Sequence, residues 1–133
     1  LFSAGIGITP MAAMLEALAR KESRRPVRFI HVARNSQSFP LMSEIEANIS
    51  RLPDASLQVF YTKPLGGDSL RCCGVGRPCG EMLKKLCIPA DADVYLCGPT
   101  AFMDEQRKAL QACGIPASQI YHEVFGTGEM AGS

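Results

Sequence analysis

The sequence predicts a doubly wound α/β domain, a parallel five-stranded sheet with helices on both faces. Two observations carry this prediction. Apolar runs of strand length alternate with helix-period patterns along the chain, giving the order β-α-β-α-β-loop-α-β-α-β. The second run, VRFIHVAR, is apolar on both alternating faces, as an interior parallel strand is.

Each element has its own warrant. Leu1 and Phe2 read as the tail of a first strand, and Met11, Met14, Leu15 and Leu18 recur at the spacing of one helix face. The second strand (27–34) is bounded by Pro26 and the polar NSQS. LMSEIEANISRL then sets Leu41, Ile45, Ile49 and Leu52 on one helical face. LQVFYT (57–62) is the third strand. PLGGDSLRCCGVGRPCG follows as a long connection without periodicity, and EMLKKLC as a short helix. VYLC (94–97) ends at Gly98-Pro99. Phe102, Gln106, Ala109, Leu110 and Cys113 mark a helix that Gly114 ends in the left-handed conformation, with Pro116 beyond it. IYHEVF (120–125) is the last strand, and TGEMAGS a frayed end or linker. No internal repeat is present.

Composition narrows the function classes. The 133 residues make one domain, 47% hydrophobic and 20% charged, as in an ordinary globule. A net charge of +1 without a basic stripe argues against nucleic acid or a membrane surface as partner. No apolar run reaches the length of a membrane span and no signal-peptide pattern appears, so a cytoplasmic location is expected. The chain opens inside a strand without an initiator Met and reads as cut from a longer protein. The six cysteines lack paired C-x-x-C spacing, so no metal site is expected and free thiols are favoured. Cys72, Cys73 and Cys79 cluster in the aperiodic connection.

In doubly wound sheets ligands bind beyond the carboxyl ends of the strands, where strand order reverses. The candidate positions therefore follow each strand. After the first comes G-x-G-x-x-P, formed by Gly5, Gly7 and Pro10. Thr9 is placed to cap the next helix and Pro10 to open it. Glycines here give a tight turn and let an anion approach bare N–H groups at the positive end of the helix. Arg34-Asn35, Thr62-Lys63, Cys97-Gly98-Pro99 and the stretch from Glu123 to Gly126 follow the other strands. All fall on one rim.

With GIGITP, YLCGP and HEVFG in this order, the chain resembles the NAD(P)-binding domain of the ferredoxin–NADP⁺ reductase superfamily, nearest its flavohaemoglobin-type and oxygenase-reductase branch. The resemblance covers residues 1–126, from a truncated first strand, and leaves 127–133 as tail or linker. It implies a Rossmann-like three-layer α/β/α fold. It further implies a role in binding NADPH or NADH and positioning the nicotinamide for hydride transfer to FAD. By the same resemblance, the FAD would be held mainly by an antiparallel barrel domain upstream in the full-length protein. A haem, iron–sulfur or flavin acceptor would lie beyond it, and the isolated chain would have little or no reductase activity.

Residue by residue, the resemblance puts Gly5 and Gly7 at the pyrophosphate, above the helix opened by Thr9 and Pro10. Cys97, Gly98 and Pro99 match the C-G-P stretch beside the nicotinamide. Glu123 and Phe125 match the terminal E-x-F-G near the flavin face, with Cys97 and Glu123 on the catalytic side. His122 and His31 read as structural. For the choice of dinucleotide, the second strand ends in Arg34-Asn35, with no acid to repel a 2′-phosphate. Thr62-Lys63 resembles the serine–arginine pair of NADPH users, so NADPH is slightly favoured over NADH.

Two other classes stay open. One is a nucleotide-binding or regulatory module without hydride transfer, which would have no need of the nicotinamide end. The other is a flavodoxin-like FMN domain, which would carry phosphate loops or an acidic cluster where this chain has glycine, cysteine and basic residues.

Overall fold

The computed structural model describes residues 1–39, 41–66, 74–75, 83, 88–89 and 91–124. The five expected strands are β1 (Phe2–Ala4), β2 (Val27–Ala33), β3 (Ala55–Tyr61), β5 (Val94–Gly98) and β6 (Ile120–Val124). A sixth, β4 (Gly74–Val75), falls in the aperiodic connection and owes its strand character to pairing with Phe60 and Tyr61. All pairings are parallel, in the order β4-β3-β2-β1-β5-β6. The chain thus steps outward from β1 to β4, returns to the other side of β1, and steps outward again. The switch point lies between β1 and β5.

Among the described residues, helices α1 (Ile8–Arg20) and α2 (Met42–Arg51) follow β1 and β2, and α3 (Thr100–Ala112) follows β5. Right-handed crossovers that step in opposite directions put α3 on the face opposite α1 and α2. The buried side chains divide accordingly. Ile8, Met11 and Leu15 of α1 and Ile45 of α2 pack on Phe29, Val59 and Tyr61. Phe102, Met103 and Leu110 of α3 pack on Phe2, Ile30, Phe60 and Leu96. Among the described residues no helix is long and apolar enough to cross a membrane.

Helix ends show what was legible locally. Gly114 adopts φ +100°, its N–H donates to the Gln111 carbonyl at 3.0 Å, and the Ile115 N–H donates to Leu110 at 3.1 Å. This is the Schellman ending expected for α3, and Ile115 packs in the same cluster as Leu110.

The start of α1 differs from expectation. Gly5–Gly7 form a 3₁₀ turn that runs straight into α1, so Gly7 is the cap residue and no side chain caps the helix. Thr9 and Pro10 therefore lie second and third in the helix rather than at its boundary. Proline is tolerated there because the N–H groups of the first turn have no intrahelical acceptor. Leu41 likewise leaves the buried face assigned to it. It caps α2 with φ 65° and is 36% exposed, while Ile45 and Leu52 are buried.

The helix expected over 81–87 lies outside the described residues except for Leu83, which is buried. Cys72, Cys73, Cys79, Cys87, Phe125 and the 127–133 tail also lie outside them.

Candidate functional site

The carboxyl ends of β1 and β5 meet at the switch point, and the loops leaving them touch. Gly7 is the point of contact. A methyl group on its α-carbon would overlap the Cys97 carbonyl and come within 2.8 Å of the Gly98 nitrogen. The second glycine of the motif is thus required by protein packing. Gly5 differs, with φ +56° and nothing within 4 Å of a Cβ placed on it. That glycine makes the turn and leaves its outer side open to a ligand. Gly98 sits where a Cβ would lie 2.9 Å from the Phe102 ring and 3.2 Å from the Ala4 carbonyl. Three closely fitted backbone segments therefore form the floor of the crevice.

Two helices begin at this floor. Neither α1 nor α3 has a side-chain cap or a carboxylate in its first turn. Their leading N–H groups and positive dipole ends suit a diphosphate. Thr9 and Pro99 are exposed, and Pro10 is half-buried. With an open glycine turn and acid-free helix starts, the residues present fit a dinucleotide.

The ends of β2 and β3 form the adjoining stretch of rim. The ladder between them continues past the strands, with the Thr62 N–H donating to Ala33 at 2.9 Å and the Lys63 N–H to Arg34 at 2.8 Å. This holds the Arg34 and Lys63 backbones side by side. Both side chains are exposed, and neither forms an ion pair among the described residues. Asn35 is occupied locally. Its carboxamide oxygen accepts from the Gln37 N–H at 3.0 Å, capping a short turn.

A row of residues in register crosses the sheet just below the rim. Val59, His31, Ser3, Cys97 and Glu123 are successive backbone partners from β3 to β6. Ser3 and His31 are fully buried, and Ser3 Oγ lies 2.8 Å from His31 Nδ1. Burial pushes the imidazole down to about 4, with the Ser3 hydrogen bond working the other way. Its Nε2 is buried without a hydrogen-bond partner among the described residues, and the imidazole and Phe39 ring centroids lie 4.5 Å apart. Sequence reasoning gives His31 as a bonded core residue but does not identify Ser3 as its partner, because the two stand 28 positions apart.

Cys97 is fully buried and packs with the α1-side cluster. The surface it offers at the crevice is therefore the backbone of Cys97-Gly98-Pro99. Glu123 is placed by its backbone register opposite Cys97, at the ends of adjacent strands. His122 accepts from Arg107 Nη2 at 3.2 Å, a structural contact between β6 and α3. Burial first, then the Arg107 charge, holds its pKa below the ordinary histidine value, while Asp104 opposes them.

Residues 1–108 match the oxidoreductase NAD-binding domain family. The chain belongs to that family. A flavohemoprotein of Bordetella pertussis is 38% identical over 136 residues, covering 98% of this chain and 33% of its own length. The solved flavohemoglobin of Malassezia yamatoensis, with bound FAD and heme, superposes with a TM-score of 0.83 at 38% identity, over 94% of this chain and 30% of that one. The flavohem-like FAD/NAD-binding domain of the Vibrio cholerae nitric oxide dioxygenase gives 0.81 at 30% identity, over 94% and 49%. The cytochrome b5 reductase domain of Ulva prolifera nitrate reductase, 18% identical with a TM-score of 0.79, shares the fold. The chain spans about a third of the flavohemoprotein relatives it matches. The family match thus makes residues 1–108 an oxidoreductase NAD-binding domain.

Proposed function

We propose that this domain binds NADPH in preference to NADH and holds the nicotinamide against an FAD carried mainly by a separate barrel domain of the full-length protein. The dinucleotide supplies a hydride and the flavin accepts it. A haem, iron–sulfur or flavin group is then the onward acceptor. The observation that best supports this reading is the convergence at the switch point, where an open glycine turn and two acid-free helix starts adjoin a rim carrying Arg34 and Lys63.

Each residue has a part in positioning. Gly5 and the first-turn amides of α1, with Thr9 and Pro10, receive the pyrophosphate, and Gly7 keeps that turn seated on β5. Arg34, Asn35, Thr62 and Lys63 surround the adenosine end. Two exposed cations there, with no acid at the end of β2, favour a 2′-phosphate through charge-assisted hydrogen bonds. Cys97-Gly98-Pro99, with Glu123 and Phe125, border the nicotinamide end, where near contact between the reacting rings is the main requirement. A cytoplasmic setting suits the thiol state of Cys97 and Cys113.

Calorimetric titration with NADPH, NADH and 2′,5′-ADP tests the assignment. Binding of 2′,5′-ADP that Lys63→Ala weakens about tenfold, with the NADH affinity little changed, is expected from loss of one charged hydrogen bond. Equal binding of both dinucleotides, unaffected by Lys63→Ala, would overturn the preference for NADPH and leave the family unaffected.

A further inference from the structure

His31 is the one fully buried polar residue of β2. Its neighbours along the strand, Phe29, Ile30, Val32 and Ala33, bury apolar groups alone, whereas the imidazole leaves Nε2 buried without a hydrogen-bond partner among the described residues. An apolar residue at this position would avoid that cost. The imidazole therefore calls for a role beyond holding the strand in the sheet.

Its two contacts lead to the two halves of the candidate site. Nδ1 lies 2.8 Å from the hydroxyl of Ser3, which stands two positions ahead of the open Gly5 turn. The Phe39 ring meets the imidazole with its plane inclined at 51°. Phe39 ends the turn Ser36–Ser38, and from Asn35 to Phe39 it is the only buried residue. The turn is closed on itself. Asn35 Oδ1 accepts from the Gln37 N–H at 3.0 Å and from the Ser38 hydroxyl at 3.4 Å, and the Phe39 N–H donates to the Ser36 carbonyl at 3.4 Å. It is thus one piece, joined to β2 through Arg34 and seated in the core by Phe39. The Ser3 hydrogen bond fixes the rotation of the imidazole, and the imidazole fixes where the Phe39 ring rests.

We propose that His31 is a positioning residue for dinucleotide binding: held by Ser3, it seats Phe39 and so sets the Asn35–Ser38 turn at the separation from the Gly5 turn that the adenosine half of the ligand needs. Being fully buried, it touches no ligand itself. Its effect is preorganisation, since two turns already in place need no ordering when the ligand arrives. The inference rests on the assignment of Arg34 and Asn35 to the adenosine end.

The test separates binding from stability. Ser3→Ala with His31→Leu replaces both hydrogen-bonding partners by apolar groups, so the urea midpoint should hold or rise. The same double variant should bind 2′,5′-ADP about fivefold more weakly by calorimetry, the size of effect expected of a residue that acts through its neighbours. Phe39→Leu, which leaves the Ser3–His31 pair intact, should lose a similar factor. The triple variant should lose no more than Phe39→Leu alone, because the pair acts through that ring. Wild-type affinity in either the double variant or Phe39→Leu would overturn the proposal and leave the adenosine assignment standing. Losses that multiply in the triple variant would overturn it as well. A wild-type protein whose Arg34 and Asn35 amide resonances do not move on adding 2′,5′-ADP would overturn the adenosine assignment, and the proposal with it.

Discussion

Gly7 and Cys97 are in backbone contact across the switch point, so close that the glycine α-carbon leaves no room for a methyl beside the cysteine carbonyl. The loop after β1 is therefore fastened to the loop after β5, and the shape of the crevice depends on that fit. Gly7→Ala should lower stability by about 1–3 kcal/mol through overpacking against backbone that has little freedom to move. It should also weaken dinucleotide binding, because the turn bearing Gly5 would shift. Gly5→Ala meets no neighbour and pays only for its left-handed backbone, about 1 kcal/mol. Urea denaturation of both variants checks the order, and a Gly5→Ala as damaging as Gly7→Ala would contradict it.

That contact also explains what the sequence leaves hidden. The strands are visible in runs such as VRFIHVA because interior parallel strands need apolar residues on both faces. Gly114 is visible as a helix stop because its role is local. The early start of α1 is not visible, since the 3₁₀ turn at Gly5–Gly7 packs on Cys97, some ninety positions along the chain. β4 is hidden for the same kind of reason, as it exists by pairing with Phe60 and Tyr61. For the site, strand ends suffice to bring the candidate residues to one rim. Whether a side chain there faces ligand or core is decided by tertiary packing, as burial of the Cys97 thiol illustrates.

The end of α1 carries an avoidable strain. Glu22 takes φ 52° in a Schellman ending, with the Ser23 N–H donating to Leu18 at 3.0 Å and the Glu22 N–H to Ala19 at 3.1 Å. Glycine is the residue that adopts this conformation without cost. Glu22→Gly should raise stability by about 0.5–1 kcal/mol, and Gly114→Ala, the reverse change at α3, should lower it by a similar amount. Thermal melts of the two variants should move in opposite directions.

Acid should weaken the fold through His31. The imidazole binds a proton near pH 6.5 in the unfolded chain but only near 4 in its buried place beside Ser3 and Phe39. Its contribution is complete above pH 6.5 and is lost as the pH falls toward 4, by about 3 kcal/mol at most. His31→Gln removes the titrating group, so urea midpoints of this variant should fall less steeply over that window. An unchanged slope would mean that other groups govern the acid limb.

His122 provides a second, local titration. Burial and the neighbouring Arg107 hold its pKa low, while Asp104, 3.4 Å from Arg107, works against them. Arg107→Ala should raise the midpoint of the His122 ring resonances followed by NMR, recovering part of the shift because burial remains. Asp104→Asn should lower it further. Opposite movements would assign the coupling to these charges rather than to a general change at the end of β6.

Cys97 tests the inner wall of the crevice. Its thiol is fully buried among apolar side chains, whereas Cys113 at the end of α3 is half-buried. Alkylation needs an accessible thiolate, so iodoacetamide should reach Cys97 only when the sheet opens and Cys113 well before that. Peptide mapping by mass spectrometry separates these two from the other cysteines. Cys97→Ala should cost on the order of 1 kcal/mol, as loss of a small buried side chain does. It should leave 2′,5′-ADP binding intact, because that ligand lacks a nicotinamide. A further loss of affinity confined to the whole dinucleotide would show that the cysteine end of β5 meets the ring. Equal affinities for wild type and variant would reduce Cys97 to the core residue that its burial describes.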